Sequence, residues 1–150
     1  MTRTTLVMGA VAFGVAIAAA QSDPIAQRKS IMKRNGQNAV AVNRMVRGEE
    51  PFDAAKVNSA FTDWEDTAQK LPVLFASPSP AGADTRALPK IWDSKHDFDA
   101  KLEAFSKAVA ENKDKAKSLD GLKIAFPAVN KVCVDCHETY RRPQQPGQKK

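Results

Sequence analysis

Near the C-terminal end, Cys133-Val134-Asp135-Cys136-His137 gathers both cysteines of the chain and one of its two histidines. Two thiols three positions apart, followed directly by an imidazole, suit four kinds of chemistry. A disulfide is one, since an exported chain would permit it. Residues three apart on a regular helix do not easily meet disulfide geometry, however, and the loop closed is too short to constrain much. A thioredoxin-like redox pair is the second. It usually follows a strand and sits at a helix N-terminus, where the dipole acidifies the first thiol. Here no strand precedes the motif, which lies towards the C-terminal end of a helix, where the dipole opposes a thiolate. Zinc is the third, and it lacks a ligand that only His96 could supply. The fourth fits without strain: Cys133 and Cys136 add to the two vinyl groups of a haem, and His137 coordinates its iron from one face. On a helix Cys133 and His137 stand one turn apart on the same side, with Cys136 beside them. One covalently attached haem c is therefore the expected cofactor.

Such a ligand needs elements to hold it, and the pattern supplies helices alone. The first opens at Ser22-Asp23-Pro24, where Asp23 can cap and Pro24 suits the first turn, and Gly48 is its stop. Within it Ile25, Ile31, Met32, Ala39, Val42, Met45 and Val46 recur at helical spacing. Phe52-Asp53 starts the second, with Val57, Ala60, Phe61, Trp64, Ala68 and Leu71 in one apolar stripe. Pro72 to Pro89 reads as a long crossover loop. Pro89 opens a third helix through Ile91, Trp92, Phe98, Leu102, Phe105 and Val109, and Glu111 to Lys117 reads as a solvated helix end and connector. Ser118 caps the fourth, which carries Leu119, Leu122, Phe126, Val129, Val132 and both cysteines, with Pro127 expected to bend or break it. The fold class expected is all-α, an antiparallel up-down-up-down four-helix bundle.

In that topology the first helix begins where the fourth ends. His137 then lies about 8 Å from that end at 1.5 Å per residue, Met32 about 13 Å and Met45 about 33 Å. Met32 is thus the methionine that can face the iron opposite His137. Arg28, one turn before Met32 on the same face, is placed to pair with a haem propionate. Arg141, one turn after His137, is placed beside the proximal imidazole. His96 reads as an exposed residue with no role.

The whole chain sets the context. Met1–Ala20 has the layout of a secretory signal: a charge at Arg3, an apolar run from Leu6, and small residues at the cleavage site. That run is shorter than the roughly twenty residues that span a bilayer, so no stable membrane insertion is expected and residues 21–142 form the haem-binding domain. From Pro143 to Lys150 the tail has nothing to bury. The formal charge of +6 suits docking to redox partners with acidic surfaces. Export, and the lack of an arginine-rich stripe interleaved with aromatics, argue against nucleic acid.

"CVDCHETYR" near the C-terminus, behind "RKSIMKRNGQN" on the first of four helices, resembles the class II c-type cytochromes, the cytochrome c-prime family. The stretches "GEEPFDAAKVNSAF" and "PKIWDSKHDFDAKLEAFSKAV" look closest to its low-spin subgroup, cytochrome c-556. The resemblance implies Cys133 and Cys136 as thioether anchors, His137 as proximal ligand and Met32 at the distal position. It also implies a homodimer through the first two helices as one expected form. The function expected is a periplasmic electron carrier, not an enzyme, with His137/Met32-ligated low-spin iron. The alternative is a five-coordinate, high-spin protein binding nitric oxide or carbon monoxide, with Met32 only shielding the open position.

Overall fold

The computed structural model describes residues 23–143. The expected signal segment, and the tail beyond Pro143, lie outside the described residues. Five α-helices follow one another: α1 (Pro24–Val46), α2 (Ala54–Leu74), α3 (Lys90–Asp93), α4 (Lys95–Lys113) and α5 (Leu119–Tyr140), with a 3-10 turn at Lys115–Lys117. The four long ones pack as a bundle in which α1 touches α2, α2 touches α4, α4 touches α5 and α5 returns to α1. No helix of the described residues is long and apolar enough to cross a membrane.

Helix starts follow local chemistry. The Asp23 carboxylate accepts from the Ile25 amide at 2.9 Å with Pro24 in the first turn. Asp53 accepts from the Ala55 and Lys56 amides, both at 3.0 Å, and Ser118 Oγ accepts from Gly121 at 3.2 Å. Each bond satisfies an amide that the helix itself leaves unpaired. After α1 the chain turns at Gly48, whose φ of 73° lies in the left-handed region that suits glycine.

Four expectations need correction. The crossover does not begin at Pro72: α2 runs on to Leu74, because Pro72 is exposed near the helix end, where the carbonyl it leaves unpaired can reach water. Pro127 does not break α5, and it too faces solvent. The third helix is interrupted instead. Ser94, at φ −123° and ψ 47°, separates one-turn α3 from α4. This break buries Ile91 and Phe98 together and lets Trp92 Nε1 donate to the Phe75 carbonyl at 3.0 Å. The stretch 111–117 is not wholly solvated, since Asn112 and Ala116 are buried.

Two hydrophobic clusters form the interior. One, built around Met45, Phe61, Trp64, Val109, Leu122 and Phe126, fills the end where α1 finishes and α5 starts. The other joins Leu71, Phe75, Ile91, Phe98, Leu102 and Tyr140, where α2 and α5 finish and α4 starts. The crossover after α2 seals this second end. Its residues 86–88 pair antiparallel with 140–142: Ala87 bridges Arg141, Leu88 N donates to the Tyr140 carbonyl at 3.0 Å, and Arg142 N donates to the Arg86 carbonyl at 2.8 Å.

Candidate functional site

Between the two clusters the bundle opens into a cleft of about 270 Å³. Its walls draw on both: Trp64, Phe105 and Phe126 from one, Leu71 and Leu102 from the other. Cys133, Cys136, His137 and Arg141 line it from α5, and Met32 lines it from α1. Five of the six residues singled out from the sequence therefore meet in one place. Met45, the other methionine of α1, is 1% exposed in the far cluster. Helix rise alone separated the two.

The sixth residue, Arg28, is not among the cleft-lining side chains. It is 5% exposed, packed behind the cleft with its guanidinium 4.4 Å from the centre of the Phe75 ring. Nη2 donates to Ser79 Oγ at 2.7 Å, whereas Nε and Nη1 are buried without a partner. Two unpaired donors on a buried cation are costly, so they mark a place where an acceptor is wanted. His96 is exposed at the start of α4, and among the described residues no three His, Cys, Asp or Glu side chains gather as a metal cluster. The fourth ligand a zinc site would need is missing.

Electrostatics separate the remaining readings of the thiols. Burial, and then the neighbouring Cys136, push Cys133 up to about 11. Burial also raises Cys136, against the pull of Lys101 and Arg141. A redox-active pair needs an acidified thiol, and this site does the opposite. His137 is pushed down to about 4, first by burial, then by the charges of Arg141 and Arg86. At neutral pH it is an uncharged imidazole with a lone pair to give, the state in which histidine binds a metal.

Three features were not anticipated. Gly36, one turn after Met32, lines the cleft, and a Cβ there would meet nothing within 4 Å. Thr67, fully buried in the α2 wall, has its hydroxyl 2.8 Å from the Asp63 carbonyl and 3.1 Å from Asn35 Oδ1, so a satisfied polar pair interrupts an apolar lining. Arg86 comes from the crossover and fixes its guanidinium on the Arg142 carbonyl at 2.9 and 2.7 Å. A mid-helix glycine was the one sequence signal available for these, because glycine costs a helix about 1 kcal/mol against alanine.

The set fits a haem. It offers two neutral thiols one turn apart, a neutral imidazole beside them, a thioether from α1 and apolar walls, with the orphaned guanidinium donors of Arg28 outside the lining. A family model described as Cytochrome C' matches residues 23–141. A cytochrome c-556 of Rhodopseudomonas palustris is 35% identical over 145 residues, covering 94% of this chain and 97% of the relative. A cytochrome c' of the same organism is 37% identical over 139 residues, covering 93% and 95%. The solved structure of cytochrome c' from Rhodopseudomonas palustris superposes with a TM-score of 0.74 at 35% identity, covering 83% of this chain and 100% of that one. The chain belongs to the cytochrome c' family of haem proteins, which implies a covalent c-type haem and with which the spacing of Cys133 and Cys136 agrees.

Proposed function

We propose that this protein is a periplasmic one-electron carrier with a single haem c, joined by thioethers to Cys133 and Cys136 and ligated by His137 and Met32. The observation that carries the reading is the shared cleft: His137 lines it from α5 and Met32 from α1, with both thiols beside the imidazole. Bound there, haem supplies one-electron iron chemistry whose potential depends on its axial ligands. The remaining work falls to the chain. Neutral His137 offers its lone pair without first losing a proton. Met32 would hold the iron with a soft sulfur from α1, a ligand type that suits both oxidation states. Trp64, Leu71, Leu102, Phe105 and Phe126 would keep water from the cleft. Arg28 would supply Nε and Nη1 to a propionate, and Arg141 would place a fixed charge beside His137. The export layout of residues 1–20 supports the periplasm as the site of action.

A five-coordinate, gas-binding state is the second reading. A cytochrome c-556 and a cytochrome c' match this chain at nearly equal identity, 35% and 37%, and Met32 is only half-buried. Visible spectra of the oxidised and reduced protein, with and without carbon monoxide, decide between the two. Low-spin bands indifferent to carbon monoxide support the carrier, and a high-spin spectrum that shifts with the gas defeats it. In Met32→Ala the low-spin bands should disappear and carbon monoxide should bind; an unchanged spectrum would mean that a different side chain is the ligand.

A further inference from the structure

Surface charge is unevenly compensated. Along the sides and at the far end of the bundle, lysines and arginines stand in ion pairs. Arg34 reaches Asp63 and Asp66, Lys70 reaches Asp66, Lys113 reaches Glu65, Lys123 reaches Asp120, and Lys131 reaches Asp135. Of the cations that meet no carboxylate of the described residues within ion-pairing distance, four lie together: Arg86, Lys101, Arg141 and Arg142. They come from three elements yet converge on one place. Lys101 and Arg141 line the cleft, and Arg86 is bonded to the Arg142 carbonyl next door. Both Arg86 and Arg141 lie close enough to His137 for their fields to be felt there. The remaining unpaired surface lysines, Lys33, Lys90 and Lys115, are spread over α1, α3 and the 3-10 turn. Lys101 and Arg141 share the cleft lining with Asn130 and Val134, the latter 43% exposed, and Arg86 and Arg142 lie beside Arg141 outside that lining.

An apolar cleft with uncompensated positive charge on and beside its rim is what draws an anionic surface towards a buried redox centre. We propose that this mouth is the docking face for a redox partner protein, and that the partner presents a cluster of carboxylates to Arg86, Lys101, Arg141 and Arg142. The inference rests on the carrier reading and adds where electrons cross and what kind of surface receives them. The pairing of 86–88 with 140–142 makes the face rigid: two of its arginines are held by main-chain bonds before any partner arrives, which lowers the ordering cost of association.

The test uses the reduced, haem-loaded protein and hexacyanoferrate(III). One electron passes to the reagent, which becomes hexacyanoferrate(II), and no proton or ligand moves. Oxidation should slow several-fold between about 10 mM and about 200 mM salt, as the Debye length falls from about 30 Å to under 10 Å. With the cationic oxidant hexaamminecobalt(III) the salt dependence should reverse. At low salt, Lys101→Glu and Arg142→Glu should each slow the hexacyanoferrate reaction by about three- to tenfold. Lys123→Glu makes the same change of net charge in the first turns of α5, and it should alter the rate less than about twofold. Poly-L-glutamate, standing in for an acidic protein face, should inhibit the wild type and inhibit Arg142→Glu less. The docking face is refuted if Lys101→Glu and Arg142→Glu are no slower than Lys123→Glu, or if poly-L-glutamate inhibits all forms equally. Failure of the underlying reading looks different: a protein without visible haem bands, or a high-spin one that takes up carbon monoxide, ends the carrier assignment whatever the rates.

Discussion

Replacing Arg28 with methionine should destabilise the haem-loaded protein by about 3–5 kcal/mol, the cost of breaking a buried charge pair by removing one partner. The size of that effect, and its sign, separate two states of the guanidinium. Within the polypeptide alone, Arg28 has one hydrogen bond at 2.7 Å to Ser79 and two ring contacts, at 4.4 Å with Phe75 and 5.9 Å with Trp92. A hydrogen bond to a charged group contributes about 1.5–3 kcal/mol, and the two cation–π contacts together about 1–2 kcal/mol. Against them stand Nε and Nη1, buried and unpaired, each costing about 1–3 kcal/mol. Those contributions cancel to within about 1 kcal/mol, and methionine keeps the packing of the aliphatic stem. If nothing else met Arg28, the substitution would be close to neutral. A propionate on Nε and Nη1 turns the two penalties into charge-assisted bonds, and the full loss then appears. Urea titration of the holoprotein, followed by helical circular dichroism, reads it directly. With a slope of about 2 kcal/mol per M the midpoint should fall by about 1.5–2.5 M. Arg28→Lys, which keeps the charge but not the fork, should fall part of the way. A midpoint that stays put or rises in Arg28→Met would refute the pairing of Arg28 with a carboxylate.

Three further outcomes follow from the packing. Tyr140 is buried, donates to Asp97 Oδ2 at 2.5 Å, and has its hydroxyl pushed up to about 12, first by burial and then by Asp97. The folded chain holds that proton more tightly than an unfolded tyrosine with a pKa of about 10. Its contribution is therefore complete below pH ~10 and is lost as pH rises towards 12. Tyr140→Phe should cost about 1 kcal/mol at neutral pH and remove that part of the alkaline decline; identical alkaline melting curves for the two proteins would count against it. Gly36→Ala and Gly121→Ala should move in opposite directions. At Gly36 nothing lies within 4 Å of a Cβ, so in the haem-free chain alanine gains about 0.5–1 kcal/mol of helix propensity. At Gly121 the same Cβ would sit 1.8 Å from the Lys115 carbonyl oxygen, which costs about 1–3 kcal/mol of strain. Equal thermal midpoints for these two variants would contradict the packing of α5 on the 3-10 turn.

What could be read in advance was local or arithmetical. Asp23, Asp53 and Ser118 announce helix starts because a cap bonds amides two or three residues away, within reach of any short-range rule. The preference for Met32 over Met45 needed only the rise of a helix and the alternation of a bundle. The break at Ser94 gave no such sign. Ile91, Trp92 and Phe98 keep helical spacing across it, and what accompanies it is tertiary, the bond from Trp92 to the Phe75 carbonyl. The helices run through Pro72 and Pro127 because a proline disrupts a helix only as far as its missing bond is felt, and both face water. The depth of Arg28 was not readable, since it depends on Phe75 and Ser79 after α2 and on Trp92 of α3 folding over it. Arg86 was invisible for the same reason. No periodicity records that residues 86–88 will lie against 140–142.

The division of the interior into two clusters bears on how the chain opens. In an ordinary bundle the middles of the helices exchange their amide hydrogens most slowly, because fraying proceeds from the ends. Here a cleft lined by Gly36 on α1, Thr67 on α2, Phe105 on α4 and Val129 on α5 runs past the midsections, between clusters that pack towards the two poles. Without its prosthetic group the chain should behave as two small knots of structure strung on four shared rods, with the waist the first part to give way. Once a flat, covalently tethered plate fills that waist, the knots fuse and the slowest-exchanging amides should migrate to the equator. Deuterium uptake mapped on the two forms would show the protection profile turn inside out.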